Sequence, residues 1–177
     1  MACAFDFAAV VFPLCTFCTL LMHYLIHLVA PKGERLTPKM VEWLTAHSGD
    51  PLQPEAFIPV RKLRVKALAR ALLRFDPTLI PEQGAHGSVL LRYPAPELDL
   101  ALLIHERGVI VRFPWMGSLL AQIVLRICHT YIQFLYQRAG FWSYDSQLNL
   151  ISYAGDFETI DEIVKLMEAW LPKMLDG

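Results

Sequence analysis

Catalytic signatures are what this chain most lacks. It has no glycine-rich phosphate loop, no Gly-x-Ser-x-Gly turn and no His-Glu-x-x-His helix. The common sequence marks of nucleotide binding, α/β-hydrolase chemistry and zinc proteolysis are therefore missing. Cysteine is scarce: of the four, Cys3, Cys15 and Cys18 lie early and Cys128 stands alone. That spacing excludes a disulfide framework and reads as a reducing compartment. Excess charge is lacking too, since 16 basic against 17 acidic residues leave a net charge of −1. A balance so close to zero argues against bulk attraction to nucleic acid or to an anionic membrane. There are no internal repeats, low-complexity tracts or interior linkers, and 177 residues suit one domain with a real core.

What the chain does have is an uncharged run of 24 residues from Phe7 to Ala30. Three readings compete for it. A signal peptide wants a basic start and a small-residue cleavage site, and here Asp6 is the one charge ahead of the run. A membrane anchor has the length. Lys32, Arg35 and Lys39 behind it would leave the domain cytoplasmic. The third reading splits the run at Met22, leaving residues 1–21 as a leader of unclear status and 22–177 as one domain. His23 to Val29 is then a strand that stops at the turn signal Ala30-Pro31-Lys32-Gly33. Thr37-Pro38 reads as an N-cap and first-turn proline opening a helix to about His47. The split is the reading we adopt, with the anchor through residues 7–30 as its alternative.

Further along, a helix is predicted over about Arg61 to Phe75, with Val65, Leu68, Leu72 and Phe75 on one face and Lys66, Arg70 and Arg74 opposite. Asp76-Pro77 closes it. Ser88–Tyr93, Leu98–Ile104 and Gly108–Phe113 read as three strands, the last two joined by a hairpin loop at His105-Glu106-Arg107-Gly108. The long helix from about Gly117 to Ala139 resembles a membrane span until its polar residues are placed. Gln122, Arg126, His129, Thr130, Gln133 and Gln137 form one narrow stripe, and Leu120, Ile123, Val124, Ile127, Tyr131, Phe134 and Leu135 the wide apolar remainder. This is the pattern of a core helix laid across a sheet. Phe141–Ser152 reads as extended, and Asp156 caps a last helix to about Leu171 whose acids Glu158, Asp161 and Glu162 lie in its first turns. The expected fold class is α+β: an antiparallel β-meander packed against a long central helix and flanking helices.

Three pieces between Leu63 and Leu150 carry a resemblance. They are the helix end Leu72-Leu73-Arg74-Phe75-Asp76-Pro77, the hairpin running into Val111-Arg112-Phe113-Pro114-Trp115, and Tyr144-Asp145-Ser146-Gln147-Leu148. Together they resemble a loose group of small bacterial α+β proteins of unknown function. In that group the last piece usually reads Tyr-Asp-Pro-Gln-Leu, so Ser146 departs from it. The resemblance covers about half the chain and implies a fold rather than an activity. Some proteins of this look sit among toxin–immunity and secretion-associated proteins, which implies partner binding.

Candidate chemistry is thin. Cys15-Thr16-Phe17-Cys18 has the spacing of a zinc half-site or redox dithiol, but no second pair completes it, and cysteines in an apolar run act as small hydrophobes. No metal and no cofactor is expected. His105 and Glu106 at a hairpin tip, with Asp145 elsewhere, hold acid/base groups that would work if they met in one cleft. A solvated turn for the first two, and a local backbone cap for Asp145, are the simpler readings. The basic ridge of Lys66, Arg70 and Arg74, with Arg61, Lys62 and Arg64 nearby, and an aromatic patch of Trp115, Trp142 and Tyr144, are candidate partner-binding surfaces. Nucleic acid is not expected, because a basic domain with interleaved aromatics is missing. The expectation is a non-enzymatic, cytoplasmic, immunity- or adaptor-like domain that binds a protein partner. The alternative is a small-molecule binder or hydrolase built on His105, Glu106 and Asp145.

Overall fold

A computed structural model of the chain describes residues 23–33, 37, 60–145, 147–148, 150–152 and 157–175. Seven strands form one sheet: β1 (His23–Val29), β2 (Ile80–Gln83), β3 (Val89–Arg92), β4 (Ala101–His105), β5 (Gly108–Pro114), β6 (Trp142–Asp145) and β7 (Leu150–Ser152). Their order across the sheet is β2-β3-β4-β5-β1-β6-β7, and every neighbouring pair is antiparallel. Among the described residues three α-helices accompany it: α1 (Val65–Phe75), α2 (Ser118–Ala139) and α3 (Phe157–Leu175). The fold is α+β, with the long helix α2 at its centre.

β1 is inserted between β5 and β6, far from both in sequence. Val29 stands opposite Gly108 on one side and Trp142 on the other. Ile26–Val29 have strand neighbours on both edges, which pairs their backbone groups and lets that part of the strand be apolar on both faces. His-Tyr-Leu-Ile-His-Leu-Val is close to that pattern. Residues 23–29 of the run from Phe7 to Ala30 are thus strand. The leader itself and the expected helix from Thr37 to His47 lie outside the described residues.

Register sorts the sheet into two faces. Tyr24, Ile26 and Leu28 share one with Val109, Val111 and Phe113 of β5, Leu102 and Ile104 of β4 and Leu91 of β3. All nine are buried, and the helices complete the same core through Leu72 of α1, Val124, Cys128 and Leu135 of α2, and Ile163 and Met167 of α3. Each such apolar side chain contributes about 2 kcal/mol on burial. The opposite face carries His23, Leu25, His27 and Val29 of β1 with Ile110, Leu103, His105 and Tyr144.

Several expectations shift in detail. α1 begins at Val65 rather than Arg61, and Phe75 at its end is 41% exposed rather than part of the buried face. The strand expected from Leu98 starts at Ala101, because Pro96–Leu98 make a 3-10 turn and Asp99 takes a left-handed φ of 38°. Phe141–Ser152 resolves into a hairpin of β6 and β7. On α2 the buried face is rotated from the expected one: His129 is inside, while Leu120 and Ile123 are exposed. α2 is long and apolar enough to cross a membrane by length and composition. In this fold the sheet and its neighbouring helices fill its buried face. α3 continues to Leu175, past the expected end, with Pro172 inside it.

The segment on either side of α1 is tied to α2 at two points. Arg61 donates to the Ala139 carbonyl at 2.6 Å at one end. At the other, the Tyr131 hydroxyl donates to Asp76 Oδ2 at 2.5 Å while Asp76 Oδ1 accepts from the Thr78 amide and hydroxyl. Asp76 is thus the turn residue the sequence suggested, and those bonds help hold its carboxyl below the usual range against the effect of burial. Tyr131→Phe is expected to cost about 1.5–3 kcal/mol in urea melts, the usual effect of a hydrogen bond to a charged acceptor. A melt unchanged by the substitution would show that the tie carries no stability.

Candidate functional site

His105, Glu106 and Asp145 do not converge. His105 ends β4 on the face away from the core, and Glu106 sits in the exposed hairpin turn, where Lys62 holds it in a 2.7 Å ion pair. That pair is the main reason its carboxyl lies below the ordinary range. Asp145 ends β6 three strands away, opposite Ile26, with its side chain on the core face. It accepts bonds from the buried Tyr24 hydroxyl and from the amides of Gln147 and Leu148 at 2.9 and 3.0 Å. Burial raises its pKa and those three bonds oppose the rise. Asp145 therefore serves as the local backbone cap and as a buried partner of β1. The three residues as grouped from the sequence share no cleft, because alternation along the strands sends His105 and Asp145 to opposite faces.

The aromatic patch also separates. Tyr144 is 1% exposed, beside His27 at 6.4 Å between ring centroids. Trp142 is half-buried on that same face, opposite Val29. Trp115 packs edge-on against Tyr24 at 5.4 Å, on the core face.

On the outer face, His27 and His105 form a buried imidazole pair that the sequence reading did not single out as a site. They sit diagonally across β5, with Gly108 and Ile110 opposite them. Burial lowers both to about 4. For His105 the positive charges of His27 and Arg107 add to the effect of burial. Its Nδ1 accepts the Arg107 amide at 3.4 Å, and Nε2 of His27 has no hydrogen-bond partner. Both rings are therefore neutral at pH 7.

The basic ridge stays exposed, and it borders a second feature. Between α1 and the C-terminal part of α2 runs an open groove of about 820 Å³. Its apolar lining comes from Leu63, Ala67, Leu68, Ala71 and Phe75 on one side and Phe134, Ala139 and Phe141 on the other. Phe75 stacks on Phe134 at 4.2 Å and meets Tyr131 edge-on, which fixes that end. Arg64, Arg74 and Arg138 stand around it, and no carboxylate among the described residues lines it. None of these three guanidiniums has an ion-pair partner among the described residues. On the acidic helix α3, Asp161 borders a separate small cleft with Gln122 and Arg126. Lys66 and Arg70 stand exposed on α1, Arg70 donating to the Lys66 carbonyl at 3.3 Å.

Of the basic ridge expected to bind a partner, Arg74 and the neighbouring Arg64 line this groove, with Lys66 and Arg70 on the same helix as Arg74. Arg138 and Phe134 were not legible as part of a site, because they come from another helix. Ala67 and Ala71, one turn apart, were the available hint of a shallow wall. Compared with protein-family models, with curated proteins and with solved structures, the chain matches nothing.

Proposed function

We propose that this chain is a non-enzymatic, immunity- or adaptor-like domain of the cytoplasm that docks a protein partner in the groove between α1 and α2. The observation that carries the reading is the pairing of an open apolar groove with three arginines that have no carboxylate partner among the described residues. Desolvated apolar contacts flanked by arginine are the usual make-up of an interface centre. Lys66 and Arg70, on the rim, act mainly through long-range attraction and the rate of encounter. The resemblance to small proteins found among immunity proteins points the same way.

The test places a photo-cross-linking amino acid at Ala67, an exposed position in the groove wall, in the full chain inside cells. A discrete protein adduct is expected, and it should vanish in the Arg64→Glu/Arg74→Glu/Arg138→Glu variant. These positions are exposed, so melting should stay within about 0.5 kcal/mol of the original. No adduct, or an adduct indifferent to charge reversal, would overturn the reading.

A further inference from the structure

We infer that the occupant of the groove is an acidic amphipathic helix of the partner, about three turns long, with carboxylates spaced along both sides of its apolar stripe. This rests on the reading of the groove as a protein-docking surface. Three observations select that chemistry among the occupants a basic-rimmed groove admits.

The first is the distribution of charge. Arg64 and Arg74 lie at opposite ends of the α1 wall, about 15 Å apart along the helix axis at 1.5 Å per residue. Arg138 comes from the facing wall. An amphiphile with one anionic head satisfies one of these guanidiniums, since a carboxylate–arginine pair is bidentate, and leaves the other two unanswered. A peptide with carboxylates on successive turns answers all three.

The second is the nature of the walls. Both are helices, whose backbone groups are already paired within the helix, so the groove offers no strand edge to a guest. A peptide laid there must satisfy its own amides and carbonyls, and a helix does so. Ala67 and Ala71, one turn apart on the α1 wall, keep that side low, and Leu68 and Phe75, two turns apart, give apolar purchase together with Phe134, which stacks on Phe75.

The third is the setting. Lys66 and Arg70 on the outer side of α1 enlarge the positive field around the groove and speed the arrival of an acidic ligand. The whole chain has a net charge of −1. Its attraction for anions is therefore local to this ridge, which suits a peptide better than the long phosphate backbone of a nucleic acid.

The experiment selects a phage-displayed library of single-helix peptides of about 20 residues, with one face randomised, on the full chain. Peptides are then counter-screened on the Arg64→Glu/Arg74→Glu/Arg138→Glu variant. Enrichment of Asp and Glu beside an apolar i, i+3, i+7 stripe is expected. A fluorescent copy of the leading peptide should lose about tenfold in affinity for each arginine reversed. It should also lose binding to Ala67→Trp, which fills the groove without changing charge. Enriched peptides that are neutral or basic, equal binding to the triple variant, or no enrichment would each overturn the inference. So would competitive displacement of a groove-bound dansyl fatty acid by dodecanoate or by oligothymidylate where acidic peptides fail. An Arg-dependent cross-link at Ala67 alongside such a failure leaves protein docking standing and removes the acidic helix; loss of the cross-link removes the docking reading itself.

Discussion

Gly108→Ala is expected to be the most damaging single-methyl change in the described sheet. Gly108 opens β5 directly after the Glu106-Arg107 turn and pairs with Val29 of β1. A Cβ built there would stand 2.5 Å from the Leu28 carbonyl oxygen and 3.4 Å from Cγ1 of Val29. The first of these atoms is backbone in a strand bonded on both edges, so it cannot swing aside as a flexible side chain would. Accommodating the methyl means separating β1 from β5 where the sheet is held together. The expected cost is about 3 kcal/mol or more, at the upper end for overpacking. It is read as a lower urea midpoint with an unchanged slope. The turn does not demand glycine for its dihedral, since the described positive-φ glycines are Gly87 and Gly140. Close approach is therefore the whole reason, and a variant melting like the original would show that β1 can yield at this point.

Acidification from pH 7 to pH 4 is expected to remove stability through His27 and His105. An unfolded histidine takes up its proton near pH 6.5, whereas in the fold both wait until about 4. Between those values the unfolded chain binds more protons, so stability falls as the pH falls, and the loss levels off below 4. A displacement of that size corresponds to about 3 kcal/mol for each ring, a large part of the roughly 5–15 kcal/mol that holds a typical domain folded. Arg107 adds positive charge beside His105, while Glu106 opposes it. Asp145, raised by burial, works in the opposite sense: it gains a proton in the fold before it does so in the unfolded chain, and so stabilises on acidification. Asp76 and Glu106 lose their contributions in a lower window, since both carboxyls are held below the ordinary range. The measurement is the urea midpoint at successive pH values for the original and for His27→Phe. The variant should lose about half of the drop between pH 6.5 and 4; parallel profiles would show that His27 does not hold back its proton.

The legible parts of this fold were those where burial writes a local pattern. The seven-residue strand ending at Val29, the hairpin at His105–Gly108 and the core helix ending at Gly140 all stand where apolar periodicity and punctuation place them. β2 escaped because Ile80, Pro81, Glu82 and Gln83 are all exposed. An edge strand with proline and no buried face is defined by its bonds to β3 alone. The rotation of α2 escaped for a related reason: His129 looks polar in sequence, but neutral imidazole is tolerated inside, and Leu120 and Ile123 look apolar without being covered. Asp145 was read correctly as a backbone cap, yet its bond with Tyr24 depends on β1 lying beside β6, and no local pattern announces a pairing across 121 positions. The groove is hidden for the same reason, because its walls come from two helices whose approach is a tertiary fact.

The insertion of β1 also sets a schedule for synthesis. A chain made from its N-terminus delivers His-Tyr-Leu-Ile-His-Leu-Val long before either strand that will flank it. β5 ends at Pro114, and at about 5–20 residues per second the ribosome needs roughly 4–17 s to travel from Val29 to that point. β6 follows only after all of α2. Through that interval the β2–β5 meander can assemble by short-range closure, but the sheet cannot extend to β6 and β7 until the earliest strand is recruited into its middle. The nascent protein thus carries an apolar, strand-forming segment without its sheet partners, the kind of surface that holding chaperones recognise. Completion of the domain therefore waits on long-range pairings made late in translation.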